Sequence, residues 1–358
     1  MKLLFLVVCL FVVCNADICT GPWSFMYLKC WESCPLRENG LMMLNSTLQN
    51  RIYGQEYAID KIVNALLSKD PQKCISFHFS GDNGVGKTIT ALTITEALFC
   101  VKNYMTDMYR GLLYLRGNKY RIQNEKDTYK ALEYKEEILN DIYNQLSSCP
   151  HSVIILDEAE LPDEQTMEVF EEILDEQPML QFKKKQTSKK DAIFIFISDF
   201  GMLENKSPKT IEKIQNLIYT DTKNSWIHSK HTDLIQYIIP FVPLSIQQDL
   251  PQSILKQVAY LIKNQIYNPP SIIRQQLNIQ IKDIEYTTDT LYNAAILLYN
   301  QLKQSDEFKQ RNYRGIEQLF TKQFNLALTQ SLDNYKNKHV ILSLSVENEI
   351  IYQIKEFI

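Results

Sequence analysis

Short apolar runs alternate with helical periodicities between about residues 50 and 243. Residues 74–80 (CISFHFS), 152–156 (SVIIL) and 192–198 (AIFIFIS) are rich in β-branched and aromatic residues, so they predict buried strands. Between them, residues 126–146 and 163–176 carry a helical pattern in which Met167, Phe170 and Leu174 share one face, a stripe that predicts core packing. Strands and helices alternating in this way predict an α/β domain, a parallel sheet covered by helices on both faces. Beyond Pro243 the strand signals thin out. Residues 249–267, 288–304 and 315–336 predict helices, broken by Asn268-Pro269-Pro270 and by a charged turn at Asp306, so a smaller helical domain is expected there.

Composition narrows the class. A chain of 358 residues with 45% apolar residues has length for about two domains and enough apolar material for a core, which excludes a disordered tail, a collagen-like rod and a small disulfide scaffold. The 38 Lys+Arg against 42 Asp+Glu leave a net charge of −4 and no dominant basic block, against a protein that lives on nucleic-acid phosphates. Glycine is scarce, ten in all, yet Gly81, Gly84 and Gly86 fall within six residues. Glycine concentrated in this way marks a place where backbone must approach something closely.

The first sixteen residues read as a secretory leader: Lys2 is the charged start, 3–13 the apolar core and Cys14-Asn15-Ala16 a small-residue cleavage site. The core is too short to span a bilayer, which takes about 20 residues. Removal of the leader would leave Cys19, Cys30, Cys34, Cys74, Cys100 and Cys149, enough for three disulfides in an oxidising compartment, with the pairing open. Asn45-Ser46-Thr47 and Asn205-Lys206-Ser207 are glycosylation sequons, the second followed by Pro208. Residues 17–35 hold Trp23 and Trp31 beside other aromatics; packing onto the folded domain and contact with a membrane interface both fit such a strip.

Gly81-Asp82-Asn83-Gly84-Val85-Gly86-Lys87-Thr88 fits G-x-x-x-x-G-K-[ST] directly after a predicted strand. Such a loop wraps phosphates with backbone N–H groups, Lys87 reaches the terminal phosphates, and the Thr88 hydroxyl faces Mg²⁺. The next helix would aim its positive end at the anion, although residues 89–95 (ITALTIT) alternate like a strand. Residues 153–158 (VIILDE) are four apolar residues ending in two acids. In a parallel sheet these acids reach the carboxyl edge beside the phosphate loop, where Asp157 would hold Mg²⁺ through water and Glu158 would polarise the attacking water. The lysine run Lys183-Lys184-Lys185 with Lys189 and Lys190 reads as a solvated turn, and His78 as a packed core residue.

These residues together resemble the torsin family, AAA+ ATPases of the endoplasmic reticulum lumen and perinuclear space that are kin to the Clp/HSP100 unfoldases. The resemblance runs over about residues 23–330. Arg51-Ile52-Tyr53-Gly54-Gln55 is similar to the torsin entry motif, which implies that Tyr53 and Gly54 flank adenine; the strand 191–198 is similar to the one leading to sensor 1; and Trp226-Ile227-His228-Ser229 with Pro240-Phe241-Val242-Pro243-Leu244 resembles the stretch before the helical lid. The resemblance implies a leader at 1–16, an N-terminal aromatic and cysteine-bearing segment at 17–49, an AAA+ P-loop domain at 50–244 and a helical lid at 245–358. It also implies ATP and Mg²⁺ as cofactors, an oligomer, and a location in the endoplasmic reticulum or nuclear envelope lumen, with secretion as the alternative. The C-terminal Lys355-Glu356-Phe357-Ile358 carries no KDEL-type retention signal.

Three positions depart from the torsin pattern. Asp199 stands where torsins carry the sensor 1 Asn, and an acid there would be repelled by the γ-phosphate unless it is protonated or turned toward a metal or a cation. Arg314, before Gly315, stands at sensor 2 in place of a Lys. Leu234 occupies the place of the Clp-type arginine finger, so a luminal activating domain of a membrane-anchored, AAA+-like partner would supply that arginine. Three readings follow: a partner-activated ATPase that remodels protein or membrane-associated complexes, a nucleotide-regulated binding module with little hydrolysis, and a Clp-like threading unfoldase. For the last, the nearest pore-loop candidate, Tyr114-Leu115-Arg116-Gly117, has one residue too many.

Overall fold

The computed structural model describes residues 34–100, 102, 108–122, 128–200, 210–225, 235–243, 252–267, 280–304, 312–331, 339–346 and 350–356. The leader, Cys19, Cys30, Trp23, Asn205, Trp226 and Leu234 lie outside them. The chain divides into two compact units, residues 1–82 with 87–241, and residues 83–86 with 242–358.

In the first unit, helices α1 (Gly40–Arg51) and α2 (Glu56–Leu67) precede strand β1 (Ile75–Gly81) and helix α3 (Lys87–Leu98). Strand β2 (Leu112–Arg116), helix α4 (Thr128–Ser148), strand β3 (Val153–Asp157), the short helices α5 (Glu164–Met167) and α6 (Val169–Leu174), and the hairpin β4 (Met179–Phe182) and β5 (Lys185–Ser188) follow. Strand β6 (Ile193–Ser198), helix α7 (Ile211–Lys223) and strand β7 (Tyr237–Phe241) complete it. The five-stranded sheet has the order β2-β3-β6-β1-β7, with every neighbouring pair parallel.

Helices cover this sheet on both sides, which is why the central strands β1 and β6 are buried at every position, the polar Ser76, His78 and Ser80 of β1 included. Ile154, Leu156, Phe194 and Phe196 face a cluster completed by Ile138, Ile142 and Leu146 of α4 and by Met167, Phe170 and Ile173. The expected single helix over 163–176 is two short ones. Asp163 starts the first, its carboxylate accepting from Thr166 N and Oγ1.

The strand-like run 89–95 is helical within α3. Its threonines fit because their hydroxyls bond back along the helix, Thr93 Oγ1 to Ile89 O (2.7 Å) and Thr95 Oγ1 to Ala91 O (3.1 Å). Buried Thr90, Ala91, Ile94 and Leu98 then supply the packing that propensity alone withholds.

The described cysteines form one disulfide, Cys34–Cys149, which fastens the segment before α1 to the end of α4. Cys74 is a buried thiol, pushed above its ordinary pKa first by desolvation, and Cys19 and Cys30 lie outside the described residues. The lysine run also divides. Lys183 and Lys184, both at positive φ, make the tight turn of the β4–β5 hairpin, whereas Lys189 is buried and paired with Asp175 rather than solvated.

The second unit contains the expected helices as α8 (Gln252–Tyr267), α9 (Thr288–Gln304) and α10 (Asn312–Ser331). A three-stranded sheet accompanies them that the helical expectation did not include: β8 (Gln280–Glu285), β9 (His339–Val346) and β10 (Ile350–Glu356), in the order β10-β9-β8. Ile254, Val258, Ala294, Leu298, Ile316, Phe320, Val340 and Leu342 are buried, so helices and sheet share one core. Among the described residues no helix is long and apolar enough to cross a membrane.

Candidate functional site

The carboxyl ends of β1, β3 and β6 lie side by side, since β6 sits between the other two. A parallel sheet gathers its ligand-handling residues at this edge. The loop leaving β1 opens at Gly81, whose φ is +140° and where an added Cβ would stand 2.3 Å from Phe241 O. Only glycine lets β1 turn there beside β7. Gly84 and Gly86 also have positive φ, and Val85 is buried.

Lys87, the first residue of α3, is 6% exposed, and its ammonium lies 2.5 Å from Gly81 O, 2.7 Å from Asp82 O and 2.8 Å from Asp199 Oδ1. Asp199 is thus turned toward a cation, one of the conditions under which an acid is tolerable beside bound phosphate. The residues on either side of Asp199, Ser198 and Phe200, are held by a polar network. His78 Nε2 meets Ser198 Oγ at 2.7 Å, Ser80 Oγ donates to Phe200 O (2.9 Å), and Thr222 Oγ1 of α7 donates to Ser80 Oγ (2.6 Å).

Asp157 ends β3. Its Oδ2 accepts from Thr88 Oγ1 (3.3 Å) and from the Tyr114 hydroxyl, and its Oδ1 accepts from Glu158 N (3.1 Å). Burial first, then the bond to Asp157, push the Tyr114 phenol far above its ordinary range, so it serves as a fixed donor. Tyr114 therefore belongs to strand β2 and not to a pore loop.

Glu158 is exposed with φ of +58°, and Gly117 lies so close that an added Cβ would be 2.0 Å from Glu158 O. The backbones at Gly117 and Glu158 are thus in close contact beside the acid. Two residues on, Glu160 is half-buried and its pKa is raised to about 7, mainly by desolvation, with the negative charge of Asp199 adding and Lys87 opposing.

Lys87, Thr88, Asp157, Glu158 and Asp199 are thus gathered at one sheet edge. Tyr53 and Gly54 form the turn between α1 and α2 of the same unit, where the Tyr53 hydroxyl donates to Asn50 O (3.0 Å) and Gly54 has φ of +68°. Arg314 is exposed near the start of α10 in the second unit. Sequence reasoning met Tyr114 only as a pore-loop candidate and passed over Glu160, Ser80 and Thr222; of these three only Glu160 had a local signal, its place two residues past the acidic pair.

Among the described residues no cluster of three or more His, Cys, Asp and Glu could hold a metal. A hydroxyl and a carboxylate converging at 3.3 Å do suit Mg²⁺, which takes one or two protein oxygens and fills its octahedron with waters and phosphate oxygens. The glycine-bearing loop and the lysine ammonium suit a polyphosphate.

Residues 72–239 match the AAA domain (Cdc48 subfamily). The chain carries an AAA+ ATPase domain related to those of the Clp/Hsp100 chaperones. It is 29% identical over 231 residues to the chaperone protein ClpB of Clostridium tetani, covering 60% of this chain and 26% of that protein. To ClpB of Staphylococcus aureus (strain N315) it is 26% identical over 254 residues, 68% of this chain and 28% of the relative. In structure it is similar to S. cerevisiae Hsp104 in an extended complex with casein, with a TM-score of 0.65, 19% identity and coverage of 89% of this chain and 53% of that one. The S. cerevisiae Hsp104–ADP complex gives a TM-score of 0.57 at 20% identity, over 86% of this chain and 51% of that one. The α/β fold is therefore similar to that of Hsp104, and the chain spans about half the length of those structures and about a quarter of the ClpB relatives. AAA+ ATPases as a group bind ATP with Mg²⁺, the ligands for which the loop and the Thr88–Asp157 pair are suited.

Proposed function

We propose that this protein binds and hydrolyses ATP with Mg²⁺ and uses the cycle to remodel protein or membrane-associated complexes in an oxidising lumen. The observation that carries the hydrolytic reading is the convergence of Lys87, Thr88, Asp157 and Glu158 on one sheet edge. Lys87 holds the terminal phosphates, Thr88 and Asp157 hold Mg²⁺, and exposed Glu158 orients and polarises the attacking water. The metal supplies charge neutralisation at the phosphate oxygens when bound.

The torsin-like, partner-activated form of this reading is supported by the resemblance of residues 23–330, by the leader-like pattern at 1–16 and by the Cys34–Cys149 disulfide, a bond that persists in oxidising compartments. Leu234 at the arginine-finger place supports an activator in trans, a luminal AAA+-like domain, within a homo- or hetero-oligomer. The sequon at Asn45, exposed on α1, fits a glycoprotein of that lumen.

A second reading, a Clp-like protein unfoldase, is favoured by the likeness to ClpB and Hsp104. The two separate in one experiment. Turnover is measured for the full chain alone, with a luminal activating domain, and with a permanently unfolded protein such as casein. Stimulation by the activating domain that Glu158→Gln abolishes supports the torsin-like form; stimulation by casein supports the Clp-like form. Absence of any Glu158-dependent turnover leaves a nucleotide-regulated binding module, the role that the Lys87–Asp199 contact favours.

A further inference from the structure

Glu160 lies in the segment that leaves β3, and a backbone bond from Ala159 N to Ile197 O (2.8 Å) ties that segment to the end of β6. Its Oε2 is buried without a hydrogen-bond partner in the structure. Two charged side chains act on it: Asp199, from the end of β6, opposes its ionisation, and Lys87, from the start of α3, favours it. Asp157 and Glu158 precede it on its own segment. The hydrolytic roles proposed above leave Glu160 unused.

Lys87 and Asp199 now balance one positive charge against one negative charge. When a phosphate takes the ammonium, Asp199 loses its counter-charge just as more negative charge arrives. Both changes disfavour an ionised carboxylate at Glu160, because the cation that supported it is drawn away and the anions around it multiply. A group whose pKa rises on binding must take up a proton.

We propose that the Lys87–Asp199–Glu160 cluster makes nucleotide binding a proton-coupled step in which Glu160 takes up the proton. It rests on the reading of the Lys87 loop as an ATP site. The proton comes from solvent and ends on the Glu160 carboxyl, whose Oε2 has no hydrogen-bond partner of its own. Below about pH 6 Glu160 is protonated with or without nucleotide and affinity is flat. As pH rises through about 7 the free protein loses its proton while the complex keeps it, so affinity falls, by at most about tenfold per pH unit.

The test is calorimetric titration of the full chain with a non-hydrolysable ATP analogue and Mg²⁺ at pH 7.5, in buffers of different ionisation enthalpy. The wild type is expected to take up as much as one proton per nucleotide, and its affinity to fall between pH 7 and 8.5. Glu160→Gln, which mimics the protonated form, is expected to bind with pH-independent affinity and with the uptake lost. Binding by the wild type without proton uptake overturns the coupling alone, a result that needs no variant to fold. Uptake that persists in Glu160→Gln and disappears in Asp199→Asn assigns the proton to Asp199 and also overturns it. No binding by the wild type in any buffer overturns the nucleotide-site reading and the coupling together.

Discussion

The Lys87 ammonium stands 2.8 Å from Asp199 Oδ1, so the cation expected to grip a terminal phosphate is held by an acid of the same site. An incoming phosphate must displace that acid. Asp199→Asn keeps the shape and removes the charge, so affinity for ATP is expected to rise by about tenfold, about 1.4 kcal/mol. The nucleotide-free protein should lose about 1–2 kcal/mol of stability, less than a fully buried pair forfeits, because Asp199 is 31% exposed and Lys87 keeps two carbonyl partners. Fluorescent-nucleotide titration and urea unfolding without nucleotide measure the two. Weaker ATP binding by Asp199→Asn would show that the acid assists the phosphate site instead of competing with it.

Glu158 is exposed at the end of β3, where a water can reach it. Glu158→Gln is expected to lower turnover by about 10²–10⁴. Its affinity for ATP should stay within about threefold, since an interaction made only in the transition state leaves ground-state binding in place. Single-turnover kinetics beside equilibrium binding separate the two effects, and an equal loss in both would assign Glu158 to binding.

The strands β1, β3 and β6 and the phosphate loop were legible because their signals are local: continuous apolar runs bounded by glycines or acids. The partners of those residues were not, because they depend on which strands become neighbours. Tyr114 reaches Asp157 only through the register that sets Arg116 opposite Asp157 across β2 and β3, and Ser80 meets Thr222 only because α7 packs against β1. Lys189 looked like one more charge in a lysine run until Asp175 came to meet it. In the second unit, residues 339–346 (HVILSLSV) do alternate with a period of two, but that signal followed a long helical pattern, and one of the strand's two partners, β8, is distant in the chain. Cysteine pairing was open for the same reason: Cys34 and Cys149 are 115 residues apart.

Gly117 offers a way to move Glu158 without changing it. A Cβ at this position would stand 2.0 Å from Glu158 O and 2.8 Å from its carbonyl carbon, backbone atoms that cannot rotate aside. Gly117→Ala is expected to destabilise the protein by about 1–3 kcal/mol. Because it shifts the acid, turnover should fall on the order of 10², while ATP affinity changes far less. Wild-type turnover in a folded Gly117→Ala protein would mean that the position of Glu158 is not what limits hydrolysis.

The Cys34–Cys149 bridge closes a loop of more than a hundred residues that contains the phosphate loop and α4. Cross-links stabilise chiefly by removing freedom from the unfolded chain, and a loop of this length corresponds to about 2–4 kcal/mol in practice. Reduction, or Cys34→Ser, is therefore expected to lower the midpoint of thermal unfolding by several degrees while leaving the sheet intact. Nucleotide affinity should hold at temperatures well below that midpoint, since Cys149 lies by the amino ends of β3 and β6, whereas the site is at the carboxyl ends of the strands. Differential scanning calorimetry with and without reductant measures the shift, and thiol counting after denaturation measures the bond. A protein whose unfolding is indifferent to reductant would remove the oxidising compartment from the proposal while leaving the ATP site untouched.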